Sequence, residues 1–237
     1  MSTDPLSGVA PATDVPAAFA STVAGAFDHR VGERFTLVLS GGPTAQACYE
    51  ALAVHRVGAI DWAKVDIYMG DERLVPADDP DANQRLVRQS LIEPVGGVGS
   101  FTPMPTDDDP EMCAAAYQRV VAAVLAGPGF DMIHLGMGPD GHTASLFPGA
   151  PTLRAGPDQL VMATVDPNGH NPHPRLTLTL RAINQARLAV FTVVGEAKRH
   201  AVHLLRSGED IPASRVEAAK VRWLIDEVAY GPESAAS

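Results

Sequence analysis

Cysteine is nearly missing from this chain. Two occur in 237 residues, Cys48 and Cys113, far apart, with no CxxC pair and no Cys/His ligand spacing around them. That argues against a disulfide scaffold and against a zinc module, and leaves both as small apolar residues in a reducing compartment. Long hydrophobic runs are also lacking, since every apolar segment is broken by Gly, Pro or charge within about ten residues, too few to cross a bilayer. Asp4 and Asp14 stand where a secretory leader needs basic residues and then an unbroken apolar core, so a cytoplasmic protein is expected. Basic residues are outnumbered 18 to 28, for a net charge of −10, which opposes binding to nucleic acid or anionic membrane. Any anionic ligand must therefore be held by a local cluster of donors. Nucleotide signatures are missing too: there is no GxxxxGK[ST], and the first strand-to-helix turn has no GxGxxG.

What is present is enough apolar material, 46% of the chain, to bury a full core. Apolar runs of strand length alternate with helical patterns, which predicts an α/β fold with a mainly parallel sheet between helices. Strands are expected at residues 35–39, 65–69 and from 130, then at 160–165, 175–180 and 188–194, with a short apolar run at 221–225. Helices are expected from Pro43, near 83–92, at 110–126 and at 196–205. The Pro/Gly/Asp-rich stretch 166–174 reads as an exposed loop. One domain over residues 1–237 is expected, with 1–15 and 231–237 as flexible tails.

Three of these strands end in polar loops: Ser40-Gly41-Gly42-Pro43-Thr44, Gly70-Asp71-Glu72-Arg73 and Gly138-Pro139-Asp140-Gly141-His142. Carboxyl ends of parallel strands share one edge, so distant loops can converge there. The first is either a phosphate-binding turn or a tight turn with Thr44 bonded to nearby backbone. Arg73 is either an anion ligand or the partner of Asp71 or Glu72. Asp140 and His142 are the sharper signal: an imidazole oriented by a carboxylate takes a proton from water and returns it to a leaving oxygen. His134, inside the apolar run, reads as a satisfied core histidine, while His170 and His173 read as solvated or at the rim of the site. Arg175 opens a β-rich run. Lys198 lies in the first turn of a helix, where a cation opposes the dipole; it is either solvated or paired with an anion. Ser145 lacks the GxSxG context of a nucleophile.

The chain resembles the 6-phosphogluconolactonases of the pentose phosphate pathway. The resemblance rests on Leu39-Ser-Gly-Gly42, Gly70-Asp-Glu-Arg-Leu-Val-Pro76, Asn83, Gly136-Met-Gly-Pro-Asp-Gly-His-Thr-Ala-Ser-Leu-Phe-Pro148, Arg175-Leu-Thr-Leu-Thr179 and Gly195-Glu-Ala-Lys198. It implies the Rossmann-like three-layer fold shared with glucosamine-6-phosphate deaminases and ribose-5-phosphate isomerases. It also implies hydrolysis of 6-phospho-D-glucono-1,5-lactone, needing neither metal nor cofactor. In that reading His142 is the general base, Asp140 its supporting carboxylate, and Arg73, itself part of the anion site, or nearby backbone N–H groups the stabiliser of the oxyanion. Ser40, Gly41, Gly42, Thr44, Arg175 and Lys198 hold the anion. The one departure is Pro43, where many relatives carry Ser or Thr; Thr44 or the glycine amides then substitute. Related deaminases follow Asp-Gly-His with an extra carboxylate that Thr143-Ala-Ser-Leu-Phe-Pro148 does not supply. A sugar-phosphate deaminase and a non-catalytic sugar-phosphate binder are the alternatives. The expected partner is a small sugar-phosphate lactone, bound by a monomer or weak dimer, with no nucleic acid and no membrane.

Overall fold

Strand β1 (Phe35–Leu39) is buried at all five positions in the computed structural model, which describes residues 4–55, 59–107 and 109–231. Burial without alternation marks a strand covered on both faces, as in a parallel sheet between helical layers. The chain runs α1 (Val15–Asp28), β1, α2 (Pro43–His55), β2 (Val65–Met69), β3 (Asp71–Arg73), α3 (Asn83–Val87), β4 (Ser100–Thr102), α4 (Pro110–Leu125) and β5 (Met132–Gly136). It continues through β6 (Val161–Thr164), β7 (Arg175–Leu178), α5 (Leu180–Ile183), β8 (Ala189–Val193), α6 (Arg199–Arg206), β9 (Val221–Ile225) and α7 (Glu227–Tyr230). Six strands form one sheet in the order β4-β2-β1-β5-β8-β9, every neighbouring pair parallel. The order runs outward in opposite directions from β1 and β5, so a crevice opens beyond their carboxyl ends, where doubly wound folds bind ligands.

Three expectations change in detail. Within 70–73, read as a loop, Asp71–Arg73 makes β3, and 175–180 contributes β7 to a separate antiparallel sheet in the order β3-β7-β6. Gly70 joins the two sheets: its N–H donates to the Leu39 carbonyl at 2.8 Å, and its own carbonyl accepts from the Leu178 N–H at 2.8 Å. The helix expected at 83–92 is α3 followed by a π-helical turn, Arg88–Ile92.

The amino-terminal segment is a correction. Residues 4–15 are not a loose tail: Leu6 is 1% exposed, the Ala12 N–H donates to the Ile225 carbonyl at 2.7 Å and Tyr230 Oη donates to the Val9 carbonyl at 2.9 Å. Asp14 then caps α1, accepting from the Ala17 N–H. Val15, Phe19, Val23 and Phe27 repeat every four residues on the buried face of α1, a helical signal that the Ala/Pro-rich composition obscures. Residues 232–237 lie outside the described residues. No described helix is long and apolar enough to cross a membrane.

If this segment belongs to the core, Leu6→Ala costs about 2–5 kcal/mol, as removal of a buried leucine does. Urea denaturation measures it, and a change below about 0.5 kcal/mol, typical of surface sites, would place Leu6 outside the core.

Candidate active site

The crevice between β1 and β5 receives the loop that follows β5. Its form is set by glycine: the Gly138 N–H donates to the His142 carbonyl at 2.8 Å, and the Gly141 N–H, at φ +80°, to the Gly138 carbonyl at 3.0 Å. A Cβ on Gly138 would lie 2.1 Å from His142 Nδ1, so the imidazole rests directly on peptide backbone. The run Gly136-Met-Gly-Pro-Asp-Gly141 has the spacing of a dinucleotide fingerprint. It opens no helix, and leads instead to an antiparallel bridge between Thr143 and Leu146.

His142 Nδ1 lies 2.6 Å from Asp140 Oδ1, which also accepts from the His142 backbone N–H at 3.2 Å. Burial pushes the Asp140 carboxyl up, but the hydrogen bonds and charge of His142 hold it below the ordinary carboxylate range. A carboxylate on Nδ1 fixes the proton there and leaves Nε2 as the acceptor. Ala144, beside this pair, holds φ +47°, an uncommon conformation for a side chain with a Cβ. Its neighbours clamp it: Thr143 Oγ1 donates to the Gly136 carbonyl at 2.9 Å and Ser145 Oγ to Asp71 Oδ2 at 2.7 Å.

Across the crevice, the antiparallel register sets Arg73 directly opposite Arg175. Like charges at facing positions repel, and such pairing survives where other groups compensate it. Arg73 Nη1 donates to the Asp81 carbonyl and Arg175 Nη2 to Asn171 Oδ1 at 3.2 Å, while Asp71 Oδ2 lies 3.8 Å from Arg175 Nη1. Both Nε atoms are buried without a hydrogen-bond partner. Burial lowers the Arg175 pKa, with Asp71 pulling the other way. Glu72 does not pair with Arg73's guanidinium. Its carboxylate accepts the backbone N–H groups of Arg73, Asn83 and Gln84 at 2.7–2.8 Å, and burial pushes it up to about 7 against those donors.

The turn after β1 is the third wall. Ser40 is buried there, but its groups are engaged within the fold: Oγ donates to the His134 carbonyl at 2.7 Å and the N–H to Tyr49 Oη at 3.0 Å. Gly41 has no room for a side chain, because a Cβ would lie 1.8 Å from Asn83 Oδ1. Gly42 takes φ +98°, and Pro43 is the first residue of α2. Thr44 makes no hydrogen bond to nearby backbone among the described residues and faces the same space. Lys198 ends a 3-10 turn, Glu196–Lys198, before α6; burial lowers its pKa and the charge of Asp140 raises it.

All of these walls enclose one cleft of about 330 Å³, lined by Ser40, Gly41, Gly42, Thr44, Arg73, His142, Arg175 and Lys198. Asp140 alone of the expected residues stands outside the lining, behind His142. Residues not anticipated as part of the site also line it: Asp71, Asn83 and Asn171. Asp71 and Asn83 belong to the recognised motifs, but Asn171 sits in a stretch whose composition signals only a loop. His134 reaches the cleft floor yet is fully buried and satisfied, with Nδ1 at 2.9 Å from Tyr49 Oη and Nε2 at 2.8 Å from Thr192 Oγ1. His170 is exposed, and His173 pairs with Asp81 at 2.9 Å. Among the described residues no group of three or more His, Cys, Asp or Glu is placed to hold a metal ion.

A carboxylate-bound imidazole beside arginines with unpartnered buried Nε donors, at the switch point of a parallel sheet, gives this cleft groups suited to a small anion. The chain belongs to the family of glucosamine-6-phosphate isomerases/6-phosphogluconolactonases, which matches residues 10–225. It is 41% identical over 206 residues to the 6-phosphogluconolactonase of Synechocystis, covering 82% of each chain. To that of Mycobacterium leprae it is 37% identical over 224 residues, covering 89% of each. The crystal structure of the Thermotoga maritima 6-phosphogluconolactonase superposes with a TM-score of 0.80 at 28% identity, covering 92% of this chain and 98% of that one.

The buried histidine gives a pH signature. Burial lowers the His134 pKa from 6.5 to about 3, so between those values the unfolded chain binds a proton that the native one does not. Stability from this group is full above 6.5 and falls as pH drops through the window. Urea midpoints of wild type and His134→Asn should diverge with pH there, the variant showing the shallower acid limb. Parallel limbs would mean that His134 titrates alike in both states.

Proposed function

We propose that the protein hydrolyses 6-phospho-D-glucono-1,5-lactone to 6-phospho-D-gluconate in the pentose phosphate pathway, with His142 as general base. Family membership and similarity to 6-phosphogluconolactonases over most of the chain support the reaction. The observation that carries the mechanism is the 2.6 Å contact of His142 Nδ1 with Asp140, which turns Nε2 into a base within the cationic cleft.

Water attacks the lactone carbonyl carbon as Nε2 takes its proton, so a carbon–oxygen bond forms and the carbonyl oxygen becomes an oxyanion. Arg73 or nearby backbone N–H groups stabilise that charge, the guanidinium keeping its buried Nε donor unengaged. The intermediate collapses by breaking the bond from the carbonyl carbon to the ring oxygen. The imidazolium returns its proton to that oxygen, and His142 is regenerated. Asp140 stabilises the imidazolium while it exists. At the other end of the substrate, Thr44, the glycine turn, Arg175 and Lys198 hold the phosphate dianion and fix the lactone against the base. Asp71 is engaged by Ser145 and Asn83, which supports hydrolysis over proton abstraction from carbon. All the side chains invoked come from one chain, so a monomer suffices. Two buried, unpaired cysteines support a reducing, cytoplasmic setting.

Acid release from freshly prepared lactone, measured above its spontaneous hydrolysis, tests this. His142→Ala should lower kcat by roughly 10²–10⁴, the usual contribution of a general base, and Arg73→Ala by roughly 10²–10³. Wild-type turnover in His142→Ala would sink the mechanism. Activity should be unchanged by chelator; its loss would overturn the metal-free reading. Ammonia release from glucosamine 6-phosphate would point instead to a deaminase, and lactone binding without turnover to a non-catalytic binder.

Asp140→Asn should retain the fold but leave the imidazolium without its counter-charge. A fall in kcat with KM preserved is the expected signature, and an unchanged kcat would confine Asp140 to holding the loop.

A further inference from the structure

Loop 166–174 has no part in the chemistry described above, yet it touches the anion site at one point. Asn171 lines the cleft and its Oδ1 accepts from Arg175 Nη2 at 3.2 Å. Rotation of that amide is fixed from behind. Asn171 Nδ2 donates to Asp166 Oδ2 at 2.8 Å, and the Asn171 backbone N–H donates to the same oxygen at 3.1 Å. Asp166 is itself 7% exposed and is held by the Asn168 N–H at 2.9 Å on Oδ1. The far end of the loop is pinned by His173 Nε2 on Asp81 Oδ2 at 2.9 Å and by the Leu74 N–H on the Pro174 carbonyl at 2.9 Å.

We infer that Asn171, oriented by Asp166, is a positioning residue that sets the guanidinium of Arg175 for the phosphate. The inference rests on the reading of Arg175 as a phosphate ligand. A neutral amide is suited to this task. It fixes the plane of the guanidinium through one N–H, yet adds no negative charge to compete with the incoming dianion. The carboxylate at ion-pair distance from Arg175 among the described residues is Asp71, at 3.8 Å, too far for a hydrogen bond. Asp166, which does carry the charge, is separated from Arg175 by the amide. Positioning and neutralisation are thus assigned to different groups, and the cation stays available to the ligand.

Kinetics of the full-length chain with 6-phosphogluconolactone, and with inorganic phosphate as competing probe, test this in wild type, N171A, D166N, R175A and N171A/R175A. N171A should raise KM and the phosphate inhibition constant together by about tenfold, with kcat changed less than about twofold, as expected for one charge-assisted hydrogen bond. D166N should move the same constants in the same direction, and it carries the test if N171A fails to fold. Once Arg175 is gone, N171A should add nothing to either constant. Wild-type constants in N171A and D166N would overturn the inference. So would an equal effect of N171A in the R175A background, which would mean that the loop acts without Arg175. A normal phosphate constant in R175A itself would have a different meaning: Arg175 is then no phosphate ligand, and the anion-site assignment falls with it.

Discussion

Where β1 lies against β5, with Leu37 paired to Met132 and Val38 to Ile133, the winding of the sheet reverses and a gap opens that no crossover fills. Everything else in the site follows from that pairing. The turn after β1 and the loop after β5 are held side by side by buried main-chain hydrogen bonds, so residues about a hundred positions apart in the chain face one cleft. Apolar burial of both strands keeps the pairing in register.

The two halves of the cleft are built by different physics. The walls formed by the loop after β5 and the turn after β1 depend on the absence of side chains, because His142 lies against Gly138 and Asn83 against Gly41. The cationic half depends on strand register, because antiparallel pairing forces Arg73 and Arg175 to face each other whatever their charges prefer. That pairing leaves two facing cations in the cleft wall, each with a buried Nε donor that has no hydrogen-bond partner.

Much of this was legible in the sequence, and the parts that were not share a cause. β1, β5 and β8 announce themselves as apolar runs because both faces are buried, while β2 shows itself by alternation, with Val65, Ile67 and Met69 on its buried face. β3 does not: it consists of Asp71, Glu72 and Arg73, and its existence depends on β7, a partner distant in sequence. His134 was legible as a core residue from its place within an apolar run. Ser40 was legible as part of the glycine turn and lines the cleft, but the sequence does not show the His134 carbonyl that its hydroxyl engages. Asn171 was passed over because loop composition carries no record of the one side chain that turns inward. Local pattern reports burial; it does not report which distant group satisfies a polar atom.

Gly70 belongs to both sheets at once, giving its N–H to β1 and its carbonyl to β7. A residue used in this way is a mechanical rivet. The small antiparallel sheet cannot peel away from the large one without breaking a bond inside the core layer, so the cationic wall has no independent unfolding of its own. The lifetime of the cleft is thereby tied to that of the hydrophobic centre.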